Sequence, residues 1–211
     1  MERGVIRVGL RLARGGLAAI DIVAMLILAF SPGVNVANYL SYFTIQSNIL
    51  AVIVLAVGAV ADPRDRRWAY VRGAVTLYIV ITGIVYNTLL LNADVGVTAA
   101  WLNDVVHRVV PALALLDWIV FSPWARTRYR SALAWLAYPI AYIVYSLIRG
   151  PIVDWYPYPF VDPRLGGGYG RVAIYIVVLA VVFGLLALGV NAIGRWRLGS
   201  RAVPRGVGVE A

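Results

Sequence analysis

The chain reads as an all-α, polytopic membrane protein: six transmembrane helices with a polar pocket near the outer leaflet. Three observations carry that reading. Of 211 residues, 62% are hydrophobic and only 14% are charged, and mean hydropathy is +0.81. A soluble domain carries about 25% charged residues. Apolar runs near the length of about 20 residues that a bilayer requires recur along the chain. All 19 basic residues are Arg, and most of them cluster between those runs.

Each element follows in order. The first helix is expected at 12–30, after Arg3, Arg7, Arg11 and Arg14. No charge occurs from Ile22 to Ala61, a stretch too long for one helix. Ser31-Pro32-Gly33-Val34-Asn35 divides it, because Pro and Gly interrupt helices, and the second helix is expected at 39–61. Arg64, Arg66, Arg67 and Arg72 surround the next connection, and the third helix is read at 71–91. The fourth, 101–121, is the most polar, with Asp104, His107, Arg108 and Asp117; Asp117 is expected to pair with a loop Arg such as Arg126. The fifth is placed at 132–148, with Pro139 inside it, and the sixth at 172–194. The 211 residues form one integral membrane domain with no soluble linker or repeat. The amino-terminal stretch has Arg residues before an apolar run, as signal peptides do. An uncleaved first helix is the simpler account.

Charge sets the orientation. Fifteen of the 19 Arg residues lie before the first helix, in the second–third and fourth–fifth connections, or after the sixth helix. The other connections have no Arg (31–38, 92–100) or mix Arg with Asp (149–171). The positive-inside rule then places both termini in the cytoplasm. The same placement argues against nucleic acid as the partner of the +9 charge, since no basic face is continuous. With no Cys and one His, neither a thiolate site nor a multi-histidine metal site can be built from one chain. No metal or cofactor is expected, and the expected partners are membrane lipids.

Polar groups concentrate at one depth. Thr44 and His107 lie five and six residues into helices that both run inward, roughly 7–9 Å below the outer boundary at the helical rise. Thr44, Ser47 and Asn48 share a face, as do Asn103, His107 and Pro111, with Asp104 on the shoulder. Tyr138, Tyr142, Tyr145 and Arg149 form a stripe on the fifth helix. A hydroxyl beside an imidazole is the minimum for nucleophilic acyl transfer. Gln46, Asn48, Asn103 or tyrosine hydroxyls are candidate oxyanion donors. Ser47, Asp104, Tyr142, Tyr145 and Arg149 complete the candidate substrate-binding set. The plainer readings are interhelical hydrogen-bond glue for Thr44, Ser47 and Asn48, a structural role for His107, and aromatic packing for the tyrosines. Asp21 faces mid-membrane and either pairs with a polar neighbour or acts in transport. The aromatic, proline-rich segment Arg149–Pro163 is an interfacial anchor or a lid over the pocket.

Three segments carry a resemblance: Tyr42-Phe43-Thr44-Ile45-Gln46-Ser47-Asn48, Trp101-Leu102-Asn103-Asp104-Val105-Val106-His107-Arg108-Val109-Val110-Pro111, and Tyr138-Pro139 through Trp155-Tyr156-Pro157-Tyr158-Pro159-Phe160. Together they resemble the bacterial six-helix membrane proteins of the Pr-six-Pr family. More distantly, they resemble the androgen-induced-protein family of intramembrane threonine hydrolases, which cleave fatty acid esters of hydroxy fatty acids. The Gln46-Ser47-Asn48 run and Asp104 follow the bacterial pattern. The resemblance implies a bacterial plasma-membrane location, a lipid ester substrate in the bilayer, Thr44 as nucleophile and His107 as its base. The alternatives are a small-molecule or proton transporter using Asp21, Asp104, His107 and Arg149, and a non-enzymatic structural membrane protein.

Overall fold

The computed structural model describes residues 2–91, 100–121 and 125–201, with the backbone alone at 2–4 and 199–201. Most of the 92–100 connection lies outside the described residues, as does Arg205. The regular structure among the described residues is all helical, with no strand. The elements are α1 (Glu2–Ala29), the short α2 (Val36–Tyr39), α3 (Phe43–Val60), α4 (Arg66–Val85), α5 (Ala100–Asp104), α6 (Val110–Val120), α7 (Tyr129–Leu133), α8 (Ala137–Val153) and α9 (Gly168–Arg201). A π-helical turn, Tyr86–Leu90, continues α4, and a second, Val105–Val109, joins α5 to α6. A 3-10 turn, Ala134–Leu136, joins α7 to α8, and another spans Pro159–Val161.

The helices run past the apolar stretches where local chemistry extends them. Asp65 caps α4 by accepting from the Arg67 and Trp68 amides at 2.8 and 2.9 Å, so α4 starts at Arg66, before its apolar run. Asn35 caps α2 by accepting from the Asn38 amide at 3.0 Å, which converts the predicted break into a small helix. Asp154 ends α8 with a left-handed backbone, φ 49°.

Helix α4 is the centre. It is buried from Arg72 to Thr82 and packs on α3, α6 and α9, while α1 packs along α3. The Trp118 indole donates to Val190 O at 2.8 Å and the Tyr78 hydroxyl to Trp135 O at 2.9 Å, so both aromatics tie helices as well as fill space. Side chains such as Ile20, Ile53, Ile140, Ile148, Val177 and Leu185 point outward and are exposed. An apolar exterior on this scale suits lipid rather than water. Five helical stretches, Val5–Ala29, Phe43–Val60, Arg66–Leu90, Tyr129–Val153 and Gly168–Leu198, are long and apolar enough to cross a membrane, as befits an integral membrane protein.

One end of the bundle holds a charge network. Arg14 donates to both Asp117 oxygens at 2.8 and 3.2 Å and to Asp62 at 3.1 Å. Arg72 reaches Asp117 at 2.8 Å and stacks over Trp118. Asp117 therefore pairs with two helix arginines and not with Arg126: Arg72 comes from α4, which packs on α6, and the long side chain of Arg14 reaches across from α1. Two cations and two carboxylates satisfy one another there, which lowers the cost of burying each. Asp21 differs. It is fully buried, and neither of its carboxylate oxygens has a hydrogen-bond partner among the described residues, so the expected polar neighbour does not bond it.

Candidate functional site

Thr44 is the second residue of α3. Tyr42 supplies no side-chain cap, so the first amides of α3 need other acceptors. Two tyrosine hydroxyls provide them: Tyr142 accepts from the Phe43 amide and Tyr158 from the Thr44 amide, each at 3.2 Å. Thr44 thus sits at the positive end of an 18-residue helix, where a developing negative charge is favoured.

His107 lies inside the π turn between α5 and α6. Pro111 explains much of that turn. It has no amide hydrogen, so one carbonyl in the preceding turn loses its helical donor. Asn48 fills the vacancy: its Nδ2 donates to Val106 O at 3.1 Å and to Thr44 O at 2.8 Å. One buried amide therefore ties the helix of Thr44 to the helix of His107. Gly83 lets α4 approach the same turn, because a Cβ there would lie 2.9 Å from Pro111 Cβ and 3.3 Å from His107 O.

These constraints bring Thr44 Oγ1 to 3.2 Å from His107 Nε2. Both side chains are buried, at 6% relative exposure each. The ring's other nitrogen, Nδ1, lies 3.0 Å from Asn103 O. A carbonyl can only accept, so Nδ1 carries the proton and Nε2 of the neutral ring is free to accept from the Thr44 hydroxyl. Tyr86 stacks on the imidazole with centroids 4.2 Å apart, and Asn103 Nδ2 in turn donates to the Tyr86 hydroxyl. Tyr158 completes the cluster, its hydroxyl 3.3 Å from Thr44 Oγ1.

Tyr158 arrives on the segment after α8. At Gly150 a Cβ would fall 2.0 Å from the Tyr156 ring, so only glycine lets the segment fold back onto α8. Arg164 staples it, donating to Asp154 at 2.5 Å and to Asp162 at 2.7 and 2.9 Å. The guanidinium holds the Asp162 carboxyl below its ordinary range. Burial pushes the Tyr158 phenol up to about 12, so it stays protonated and able to donate at neutral pH.

Thr44, His107, Tyr158 and Trp155 line a cavity of about 270 Å³. It runs from exposed Gly33 and Asn35 to the buried Thr44–His107 pair. The other predicted site residues lie outside its lining. Ser47 bonds Thr82 Oγ1 at 2.7 Å, Asn48 spans α3 and the π turn, and Gln46 donates to Leu40 O while accepting from the Tyr138 hydroxyl. Asn103 serves His107 through its carbonyl. Asp104 pairs with Arg108 on an exposed flank and makes no hydrogen bond to His107. Tyr142 donates to Ser41 O at 2.9 Å, Tyr145 meets the Ser41 hydroxyl at 2.7 Å, and Arg149 donates to Asn38 at 2.7 Å. Tyr158 lies in the 149–163 segment, which the sequence reads as an anchor or a lid without singling this tyrosine out. No group of three or more His, Cys, Asp or Glu that would hold a metal occurs among the described residues. No family model, curated protein or solved structure matches the chain.

Proposed function

We propose that the chain is a six-span membrane hydrolase of lipid esters, with Thr44 as nucleophile and His107 as its base. The observation that carries this is the 3.2 Å contact between the Thr44 hydroxyl and His107 Nε2, the nitrogen that the Nδ1–Asn103 O bond leaves as the acceptor of a neutral ring, on the wall of a cavity of about 270 Å³. Thr44 Oγ1 attacks the ester carbonyl carbon while its proton passes to His107 Nε2. The Tyr158 hydroxyl and the positive end of α3 favour the tetrahedral oxyanion. His107 then protonates the departing alcohol oxygen, leaving acyl-Thr44. Water attacks the acyl carbon, gives its proton to Nε2, and the acid leaves as the proton returns to Thr44. The likeness to threonine hydrolases points the same way, and esters of hydroxy fatty acids are the first substrates to test.

The remaining span, fourth in chain order, is α5, its π turn and α6, of 5, 5 and 11 residues, together roughly 30 Å at the helical rise. Its charges are paired, Asp117 with Arg14 and Arg72 and Asp104 with Arg108, which makes the span tolerable in lipid. With the Arg distribution, six spans put both termini in the cytoplasm of a bacterial plasma membrane and the Thr44 cavity toward the outer leaflet.

The test is a set of three purified variants. Thr44→Ala, His107→Ala and the double variant should each lose ester hydrolysis by similar large factors, since groups that act as one unit are non-additive. Folding should persist. Wild-type turnover in Thr44→Ala, or none in wild type across several lipid ester classes, rejects the proposal. The unpartnered carboxyl of Asp21 favours a second reading, proton transfer through the bundle, which proton uptake by proteoliposomes of wild type and Asp21→Asn would separate.

A further inference from the structure

A buried base that takes a proton becomes a buried cation, and a serine-type triad answers that charge with a carboxylate on the far ring nitrogen. No carboxylate among the described residues bonds His107. Its Nδ1 meets the neutral Asn103 O at 3.0 Å, and Asp104 is engaged by Arg108 on the exposed flank. What lies against the ring instead is Tyr86, the first residue of the π turn that continues α4. Tyr86 is as buried as His107, at 6% relative exposure. The two rings stack with centroids 4.2 Å apart and planes 25° from parallel. Gly83, one turn earlier, lets α4 come this close to His107 O and Pro111. The Tyr86 hydroxyl accepts from Asn103 Nδ2, and Asn103 O accepts from His107 Nδ1. The three residues thus close a loop of contacts across α4, α5 and the second π turn.

We propose that Tyr86 is the positioning residue of the base: with Asn103 it holds the neutral ring in its Nδ1–H form, and its π face offsets the charge of the imidazolium. This rests on the hydrolase reading and adds the group that stands in for a triad carboxylate. The negative face of an aromatic ring attracts a cation within about 6 Å of its centroid, most strongly where water is excluded. The His107 ring gains a full positive charge as Nε2 receives the Thr44 proton. It loses that charge when the proton passes to the departing alcohol, and Tyr86 exchanges no proton in either step. Arg108 also stands over Tyr86, 5.3 Å from the ring centroid, but it is exposed and Asp104 offsets its charge. The imidazolium has no such counter-ion bonded to it among the described residues. Tyr86 is not part of the lining of the 270 Å³ cavity, so its effect falls on the base and not on substrate binding.

Two measurements test the two halves of the role. The chain has one His, so protein carrying isotope-labelled histidine gives a single imidazole in the NMR spectrum. Wild type in detergent should show the proton on Nδ1 and ring protons moved upfield by the Tyr86 ring. Tyr86→Phe should keep the upfield shift, while Tyr86→Leu should lose it and show a mixture of tautomers. The second measurement is ester turnover. Tyr86→Leu should lower kcat on the order of 10²-fold with KM near that of wild type, and Tyr86→Phe should restore most of it. Phenylalanines bearing one, two and three fluorines at position 86 keep the ring in place and draw electron density off its face. Across that series kcat should fall stepwise, by about tenfold in all, with the melting temperature unchanged. A flat series overturns the charge role. A wild-type imidazole spectrum in Tyr86→Leu overturns the positioning role. No turnover by wild type rejects the hydrolase and the charge role with it, and the spectrum then decides the positioning role alone.

Discussion

Gly83→Ala tests the geometry of the site without touching any of its reacting atoms. The new methyl carbon would stand 2.9 Å from Pro111 Cβ and 3.3 Å from His107 O. Carbon contacts settle near 3.5–4.0 Å, so the π turn and Pro111 must retreat from α4 by about 0.6–1 Å. Overpacking of this kind costs about 1–3 kcal/mol, and the better helix propensity of alanine offsets about 1 kcal/mol of that. The net cost is then about 0–2 kcal/mol, small enough for the protein to fold. Turnover should fall far more, because a 1 Å misplacement costs on the order of 10²-fold and the Thr44–His107 contact is already 3.2 Å. The assay is lipid ester turnover beside a thermal melt in detergent. Gly184→Ala is the control: nothing lies within 4 Å of its added carbon, so it should keep full turnover. A folded Gly83→Ala protein with wild-type turnover would refute the reasoning.

Other outcomes follow from the same contacts. Tyr158→Phe removes the hydroxyl 3.3 Å from Thr44 Oγ1 and should lower kcat by on the order of 10², the cost of one oxyanion donor; an unchanged kcat would remove Tyr158 from the mechanism. Asn48→Leu strips Val106 O of its side-chain donor, an expected loss of about 1–3 kcal/mol that a thermal melt would read, and turnover should fall with it. Asp117→Asn leaves Arg14 and Arg72 short of their shared carboxylate and should destabilise by about 3–5 kcal/mol, visible as a large drop in melting temperature. The Asp162–Arg164 staple predicts acid sensitivity. The Asp162 carboxyl is held below its ordinary value of 3.8, so its contribution is complete above that value and is lost as pH falls through the lower folded one. Proteolysis of the 154–164 segment should rise in that acid window, and Arg164→Gln should already be susceptible at neutral pH; identical acid profiles for the two proteins would refute the link.

Much of the architecture was legible because lipid imposes a coarse rule. Long apolar runs must be helices, and Arg marks where they stop. The common depth of Thr44 and His107 followed from counting residues inward along two parallel-running spans, and the two side chains lie in hydrogen-bond contact. What stayed hidden depends on positions far apart in the chain. Asp117 chose Arg14, 103 residues away, over Arg126, because helix neighbours outrank sequence neighbours. The sequence reads Asn48 as an oxyanion donor and Ser47 as a substrate contact, yet Thr44 O and Val106 O claim the first and the Thr82 hydroxyl the second. Tyr158 gave only a weak signal, a tyrosine between two prolines in a stiff loop. The π turns were invisible to a periodicity argument that assumes 3.6 residues per turn.

The π turn at Val105–Val109 also bears on descent. Such a turn amounts to one residue more than an α-helix would use over the same rise. Removing one residue other than His107 between Asn103 and Pro111 would wind the stretch back to an ordinary helix and re-aim the side chains within the turn, His107 among them. His107 would no longer face Thr44 while Pro111 faces Gly83. A cousin could thus keep the threonine, the histidine and every apolar run, and still lack the meeting of the two. When kin of this chain are aligned, a single-residue gap between the counterparts of Asn103 and Pro111 would mark the lineages in which the pair has parted.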